Sequence, residues 1–301
     1  MNVRRFSKNP IITPELDPSI GTNINGPSLI RVPDWLPNPL GNYYLYFAHH
    51  QGKFIRLAYA DQLEGPWIIY GPGTLALEKT PCHDHIASPD VHVDHEKQQI
   101  VMYYHGPLLS DEEASQTPVA QLYPMLHGQR SLVATSRDGL QFVSGTEHFG
   151  PSYFRVFQWR DAVYAMGMPG IFFRSQNGLT EFELGPFLFD ESMRHAALKL
   201  DGDILSIFYS RAGDCPERIL MSQVMLTEKW LDWTTTEPIV ILESETDYEG
   251  ANLPLEPSQR GAIHEPAHQL RDPCIFREED RTYLLYSVAG ESGIAIAELL
   301  P

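Results

Sequence analysis

Arg271-Asp272-Pro273-Cys274-Ile275, Thr282-Tyr283-Leu284-Leu285-Tyr286 and Ile294-Ala295-Ile296-Ala297 are three short apolar runs, parted first by a charged turn and then by a glycine-bearing one. The same order occurs four more times upstream. First runs begin at Gly26-Pro27-Ser28-Leu29-Ile30, Ser88-Pro89-Asp90-Val91, Gly150-Pro151-Ser152-Tyr153-Phe154 and Arg194-His195-Ala196-Ala197-Leu198. Second runs follow at Tyr43-Tyr44-Leu45-Tyr46-Phe47, Val101-Met102-Tyr103-Tyr104, Val163-Tyr164-Ala165-Met166 and Leu205-Ser206-Ile207-Phe208-Tyr209. Third runs follow at Phe54 to Ala60, Ser131 to Ser136, Ile171 to Ser175 and Ile219 to Val224. Short runs rich in aromatic and β-branched residues between turn residues are strands, and recurrence at a long period marks a repeat architecture. Four short strands per repeat make a propeller blade. The expected fold class is therefore all-β, a five-bladed β-propeller in a single domain over residues 1–301. An open β-sandwich of similar strand count is the competing architecture.

Asp138-Gly139 and Asn177-Gly178 supply the positive φ angles that tight hairpins demand, and so predict turns into a fourth, outer strand. Blade five runs out of chain at Leu299-Leu300-Pro301 before its own outer strand. An open sheet edge invites pairing, so the segment from Val3 to Ile12 is expected to cover it and close the ring.

The 22 basic and 39 acidic residues give a net charge of -17, which opposes nucleic acid and anionic membrane as partners. No apolar signal core follows Met1, and no run is long enough to span a bilayer. Cys82, Cys215 and Cys274 are odd in number and widely spaced, which suits a reducing compartment. A cytoplasmic location is expected.

In a blade, the start of the first strand and the connection from second to third strand share one rim, where loops vary without disturbing the core. Two insertions fall there, Gly106 to Arg130 and Glu243 to Leu270, and Ser110-Asp111-Glu112-Glu113 reads as a capping box opening a short helix. The rim also gathers His49, His50, His83, His85, His105, His127, His148, His195, His264 and His268, whereas His92 and His95 lie elsewhere. His83-Asp84-His85, if extended, aims two imidazoles to one side, but no third ligand accompanies them, so no catalytic metal and no cofactor are expected; a single structural cation in the channel is the one exception left open. Asp90 and Asp272 stand at the head of inner strands, Asp272 beside Arg271, as an acid–base group or a hydroxyl acceptor requires. Glu217 is the third candidate carboxylate and Glu265 a fourth.

Asn25-Gly26-Pro27-Ser28-Leu29-Ile30 with Tyr43-Tyr44-Leu45-Tyr46, Leu57-Ala58-Tyr59-Ala60-Asp61 with Leu63-Glu64-Gly65-Pro66-Trp67, Ser88-Pro89-Asp90-Val91-His92 and Arg271-Asp272-Pro273 resemble the five-bladed β-propeller glycoside hydrolases, the arabinanase and xylosidase group around family 43. That resemblance implies a base at the start of the first inner strand, an aspartate in the third blade and an acid in the fourth. The corresponding positions read Gly26, Gly150 and Met193-Arg194, so the family's carboxylates have no counterpart here and the triad does not carry over. The resulting expectation is a carbohydrate-active enzyme, a glycoside hydrolase on small oligosaccharides. Asp272 would serve as base, Asp90 as second carboxylate, and His195 or Glu217 as proton donor. Arg194, Arg211 and Arg271 would bind an anionic or hydroxyl-rich ring such as a uronate or sulfated sugar, with Asn25, His49, His85 and His105 as further substrate contacts. The alternatives are a sugar-binding propeller without catalysis, and a lyase in which histidine and tyrosine abstract a proton beside a uronate neutralised by arginine.

Overall fold

The computed structural model describes residues 2–123 and 128–300; His127 lies outside them. Five antiparallel sheets follow one another around a channel as a five-bladed propeller. Their innermost strands are Asn25–Arg31, Ala87–Asp94, Arg155–Trp159, Met193–Asp201 and Arg271–Glu278. Blade one carries an additional two-residue strand, Leu75–Ala76, against Phe54–Ala60. Asn2–Arg5 runs antiparallel to Ile294–Leu300, with Asn2 opposite Leu300 and Arg5 opposite Ala297, so the N-terminal strand becomes the outer strand of blade five. The capped helix of the first insertion forms at Asp111–Ser115, with Ser110 and Glu113 exchanging both bonds of the box. Among the described residues no helix is long and apolar enough to cross a membrane.

The second strand of each blade is apolar on both faces because it is sandwiched between neighbouring sheets; all six residues of Tyr43–Ala48 are buried. Five apolar clusters result, one for each pair of adjacent blades. A repeated hydroxyl contact adds direction to this burial. Tyr46 of blade one donates to the Gly139 carbonyl at 2.8 Å, and Tyr103 of blade two donates to the Gly178 carbonyl at 2.6 Å, in each case reaching the hairpin turn of the next blade. Gly139 and Gly178 have φ of 69° and 70°, the left-handed conformation expected from their turns. Tyr103→Phe keeps the ring and leaves a buried carbonyl without its donor, so it is expected to cost about 1–2 kcal/mol in urea unfolding. An unchanged midpoint would show that the hydroxyl is not an inter-blade tie.

Candidate active site at the channel mouth

One residue at the head of each inner strand adopts a left-handed backbone: Gly26 (φ 57°), Ser88 (50°), Tyr153 (70°), His195 (49°) and Asp272 (48°). In blades one, two, four and five the ladder slips register at that point. Such bulges re-aim a side chain, and left-handed backbone at four non-glycine residues costs on the order of 1–3 kcal/mol each. These four stand in one ring at the strand heads. Ser88, Tyr153, His195 and Asp272 line a cavity of about 420 Å³ at the channel mouth. Asn25 and His50 wall it from blade one, and His85 and His105 from blade two. Tyr123 and Gln129 come from the first insertion, Arg260 and Gly261 from the second.

Asp272 is the one carboxylate among the described residues lining this cavity. Its Oδ1 accepts a hydrogen bond from the Tyr153 hydroxyl at 2.7 Å and lies 3.6 Å from His195 Nδ1, while Oδ2 is buried without a partner. Burial, aided by the charge of Glu291, pushes the carboxyl up to about 6 against the opposing pull of Tyr153, Arg194 and Arg271. A carboxyl balanced there can give or take a proton near neutrality.

The four histidines divide by tautomer. His195 Nε2 accepts from Arg194 Nη2 at 2.9 Å, which places its proton on Nδ1, toward Asp272. His105 Nδ1 accepts from the Tyr153 backbone N–H at 3.2 Å, which leaves its proton on Nε2. Burial first, then nearby cationic and imidazole groups, hold both rings well below the usual histidine range, so both are neutral N–H donors. His50 is the opposite case. Its Nδ1 faces Glu291 Oε2 at 3.3 Å. Burial opposes ionisation of Glu291, but the hydrogen bond and charge of His50, the hydrogen bond from Asn23 and the charge of Arg271 bring it down to about 2. His50 Nδ1–H therefore points to Glu291, and Nε2 is the ring nitrogen left outside that contact. His85, with Nδ1 at 2.9 Å from Asp84 Oδ2, is oriented in the same way.

Of the residues expected from sequence, Asn25, His85, His105, Arg194, His195 and Asp272 come together here. The others do not. Asp90 lines a separate cavity of about 120 Å³ further down the channel, where its Oδ2 accepts from the Val156 N–H and from His92, each at 2.8 Å. Arg155 lies at the boundary between the two. Its guanidinium packs 4.0 Å from the Tyr153 ring centroid and donates to the Ser88, Phe154 and Ala196 carbonyls at 3.2, 3.0 and 2.8 Å, a fixed positive charge inside the channel.

Glu217 is fully buried beneath the site, 3.1 Å from Arg271 Nε and 3.7 Å from Arg194 Nε, with the Ser210 hydroxyl donating to it at 2.6 Å. Arg271 stands behind the cavity wall, held by Glu217 and by Glu291 at 3.1 Å. Arg211 pairs with Asp214 at 3.4 Å in a groove beside Asp190 and Tyr209. His49 turns inward on its own loop to accept the Gln51 N–H, and Glu265 is exposed. His83-Asp84-His85 is not extended, because Asp84 has φ 71°, and among the described residues no three His, Cys, Asp or Glu side chains are placed to hold a metal ion.

Blade three also differs from its sequence reading. Gly150-Pro151 belongs to the connection beside blade two, where the Gly150 carbonyl accepts the Ser131 N–H and the Pro151 carbonyl the Ser131 hydroxyl. The residue equivalent to Gly26 is Tyr153, three positions later, and in blade four it is His195. Gly-Pro at 150–151 imitates the Gly-Pro of blade one, so no local signal marks Tyr153. Arg260 and Glu291 were likewise unmarked in sequence: Arg260 stands in the second insertion, and Glu291 in the turn that joins the last two strands of blade five.

No family model matches the sequence. Among solved structures, a GH43 β-xylosidase/α-arabinofuranosidase from a compost microbial metagenome, in complex with xylotriose, superposes with a TM-score of 0.62 at 13% identity, covering 99% of this chain and 95% of that one. A GH43_1 enzyme from Xanthomonas citri gives 0.60 at 13% identity, covering 93% and 89%. The chain thus has the five-bladed fold of the family 43 glycoside hydrolases. The uncharacterized protein R118 of Acanthamoeba polyphaga mimivirus is 35% identical over 334 residues, covering 99% of this chain and 90% of that protein, and the chain belongs to the same family as R118.

Proposed function

We propose that the protein hydrolyses glycosidic bonds of short oligosaccharides held in the channel-mouth cavity. The observation that carries this reading is the Asp272 carboxyl, buried, balanced near pH 6 and with Oδ2 unpartnered, in a cavity shared with the neutral N–H donors His105 and His195. In the proposed step Oδ2–H gives its proton to the glycosidic oxygen as the bond to the anomeric carbon breaks. Water attacks that carbon and passes its proton to His50 Nε2, whose partner Glu291 stabilises the imidazolium formed. His105 and His195 donate to substrate hydroxyls, and Tyr153 holds Asp272 in place. The xylotriose bound by the compost enzyme supports a ligand of this size.

A second reading, a sugar-binding propeller without turnover, is favoured by Asp272 being the one carboxylate at the cavity, since glycosidases ordinarily use a pair. Incubation with xylotriose, other defined oligosaccharides and aryl glycosides, with and without chelator, separates the two. New reducing ends are expected. Binding without cleavage would establish the second reading, and unsaturated products would replace both with a lyase.

A further inference from the structure

The tip of the second insertion, Gln259-Arg260-Gly261, is held from below by two buried guanidiniums. Arg194 donates to the Gln259 and Gly261 carbonyls at 2.8 and 3.2 Å, and Arg271 donates to the Gly261 carbonyl at 3.2 Å. Both arginines are in turn fixed by Glu217. The arginines expected to meet substrate are therefore committed to backbone, and what they present is the residue between their two acceptors. Arg260 lines the cavity and reaches across its mouth to the Met168 sulfur at 3.7 Å and to the Glu191 carbonyl.

Arg260 makes no ion pair among the described residues, whereas its neighbours Arg194, Arg211, Arg218 and Arg271 all do. Exposed Arg137 lacks an ion pair as well, but it is spent on the Lys97 and Gln98 carbonyls away from the cavity, whereas Arg260 lines the cavity. Opposite it, His195 and Asp272, 6% and 2% exposed, each keep one polar atom without a partner, so the cavity floor is built for a polar ligand. A planar guanidinium on a pinned backbone suits bidentate capture of an oxyanion and loses little freedom in doing so. The acidic exterior repels such a ligand at long range, so selection falls on this contact rather than on steering.

We propose that Arg260 recognises an oxyanion borne on a sugar ring, the carboxylate of a uronic acid or a phosphate or sulfate ester, so that the ligand of the Asp272 cavity is an acidic saccharide. This rests on the reading of that cavity as a saccharide site. Calorimetric titration with matched pairs tests it: oligogalacturonides, glucuronic acid-bearing xylo-oligosaccharides, hexose 6-phosphates and hexose 6-sulfates, each beside its neutral parent sugar. The wild type is expected to bind at least one acidic member about tenfold or more tighter than its parent, and Arg260→Gln to bring the two to parity. Arg260→Lys, which keeps charge but not the fork, is expected to fall between. The pair that responds tells carboxylate from ester. Equal binding of acidic and neutral members, or a preference that survives in Arg260→Gln with an unchanged melting temperature, overturns the proposal. Neutral sugars binding alone would overturn it while leaving the glycosidase reading intact, and no binding of any probe would overturn both.

Discussion

Asp272→Asn is expected to lower turnover of any cleaved glycoside by about 10²- to 10⁴-fold, the usual contribution of a positioned proton-transfer group. The amide keeps an acceptor for the Tyr153 hydroxyl but has no proton to give at Oδ2. As the donor must be protonated, wild-type activity is expected to decline as pH rises through about 6, a basic limb that the variant lacks. The same substitution has a stability signature of opposite sign. The carboxyl titrates at 3.8 when exposed and at about 6 in the fold, so between those values the folded protein binds a proton that the unfolded chain has released. Stability from this group is fully present below the lower value, declines as pH rises toward 6, and above 6 the ionised form costs up to about 3 kcal/mol. Asp272→Asn should therefore melt higher than wild type at pH 8 and close to it at pH 4, while losing activity at both. Activity retained, or a melting temperature lowered at pH 8, would remove Asp272 from the mechanism.

Glu217→Gln is expected to cost about 3–5 kcal/mol of stability, because breaking a buried ion pair leaves uncompensated charge in the interior. Here the charge belongs to two arginines, Arg194 and Arg271, which Glu217 joins and which hold the tip of the second insertion over the cavity. Urea unfolding measures the loss, and limited proteolysis within residues 251–270 should accelerate in step. A Glu217 that donated protons to substrate would give the reverse pattern, activity gone with the unfolding midpoint preserved. Full burial and three protein partners place it under the site, not in it.

The five blades were legible because each strand's apolar run is long enough to be seen locally and is repeated five times, as was closure, because a missing outer strand and a free N-terminal segment are both visible in a linear chain. The site was legible in part. Asn25, His195 and Asp272 stand at strand heads, and one rule about where propeller strands begin brings them to a common rim. Asp90 obeys the same rule but sits two residues beyond the bulge at Ser88, which is enough to carry it past Arg155 into the lower cavity. Tyr153 breaks the rule, because Pro151, which imitates the start of an inner strand, belongs to the connection before blade three.

By itself, then, the sequence determined the architecture, its closure and the polar character of one rim, since strand propensity, turn chemistry and the sum of charges are local or additive. Only the tertiary structure decided which polar groups meet a ligand and which hold the site up. Left-handed backbone at five strand heads aims Ser88, Tyr153, His195 and Asp272 inward, and the ion pairs of Glu217 turn Arg194 and Arg271 into supports for Arg260. Those outcomes depend on distances between residues up to a hundred or more positions apart, such as Tyr153 and Asp272, and no local pattern encodes them.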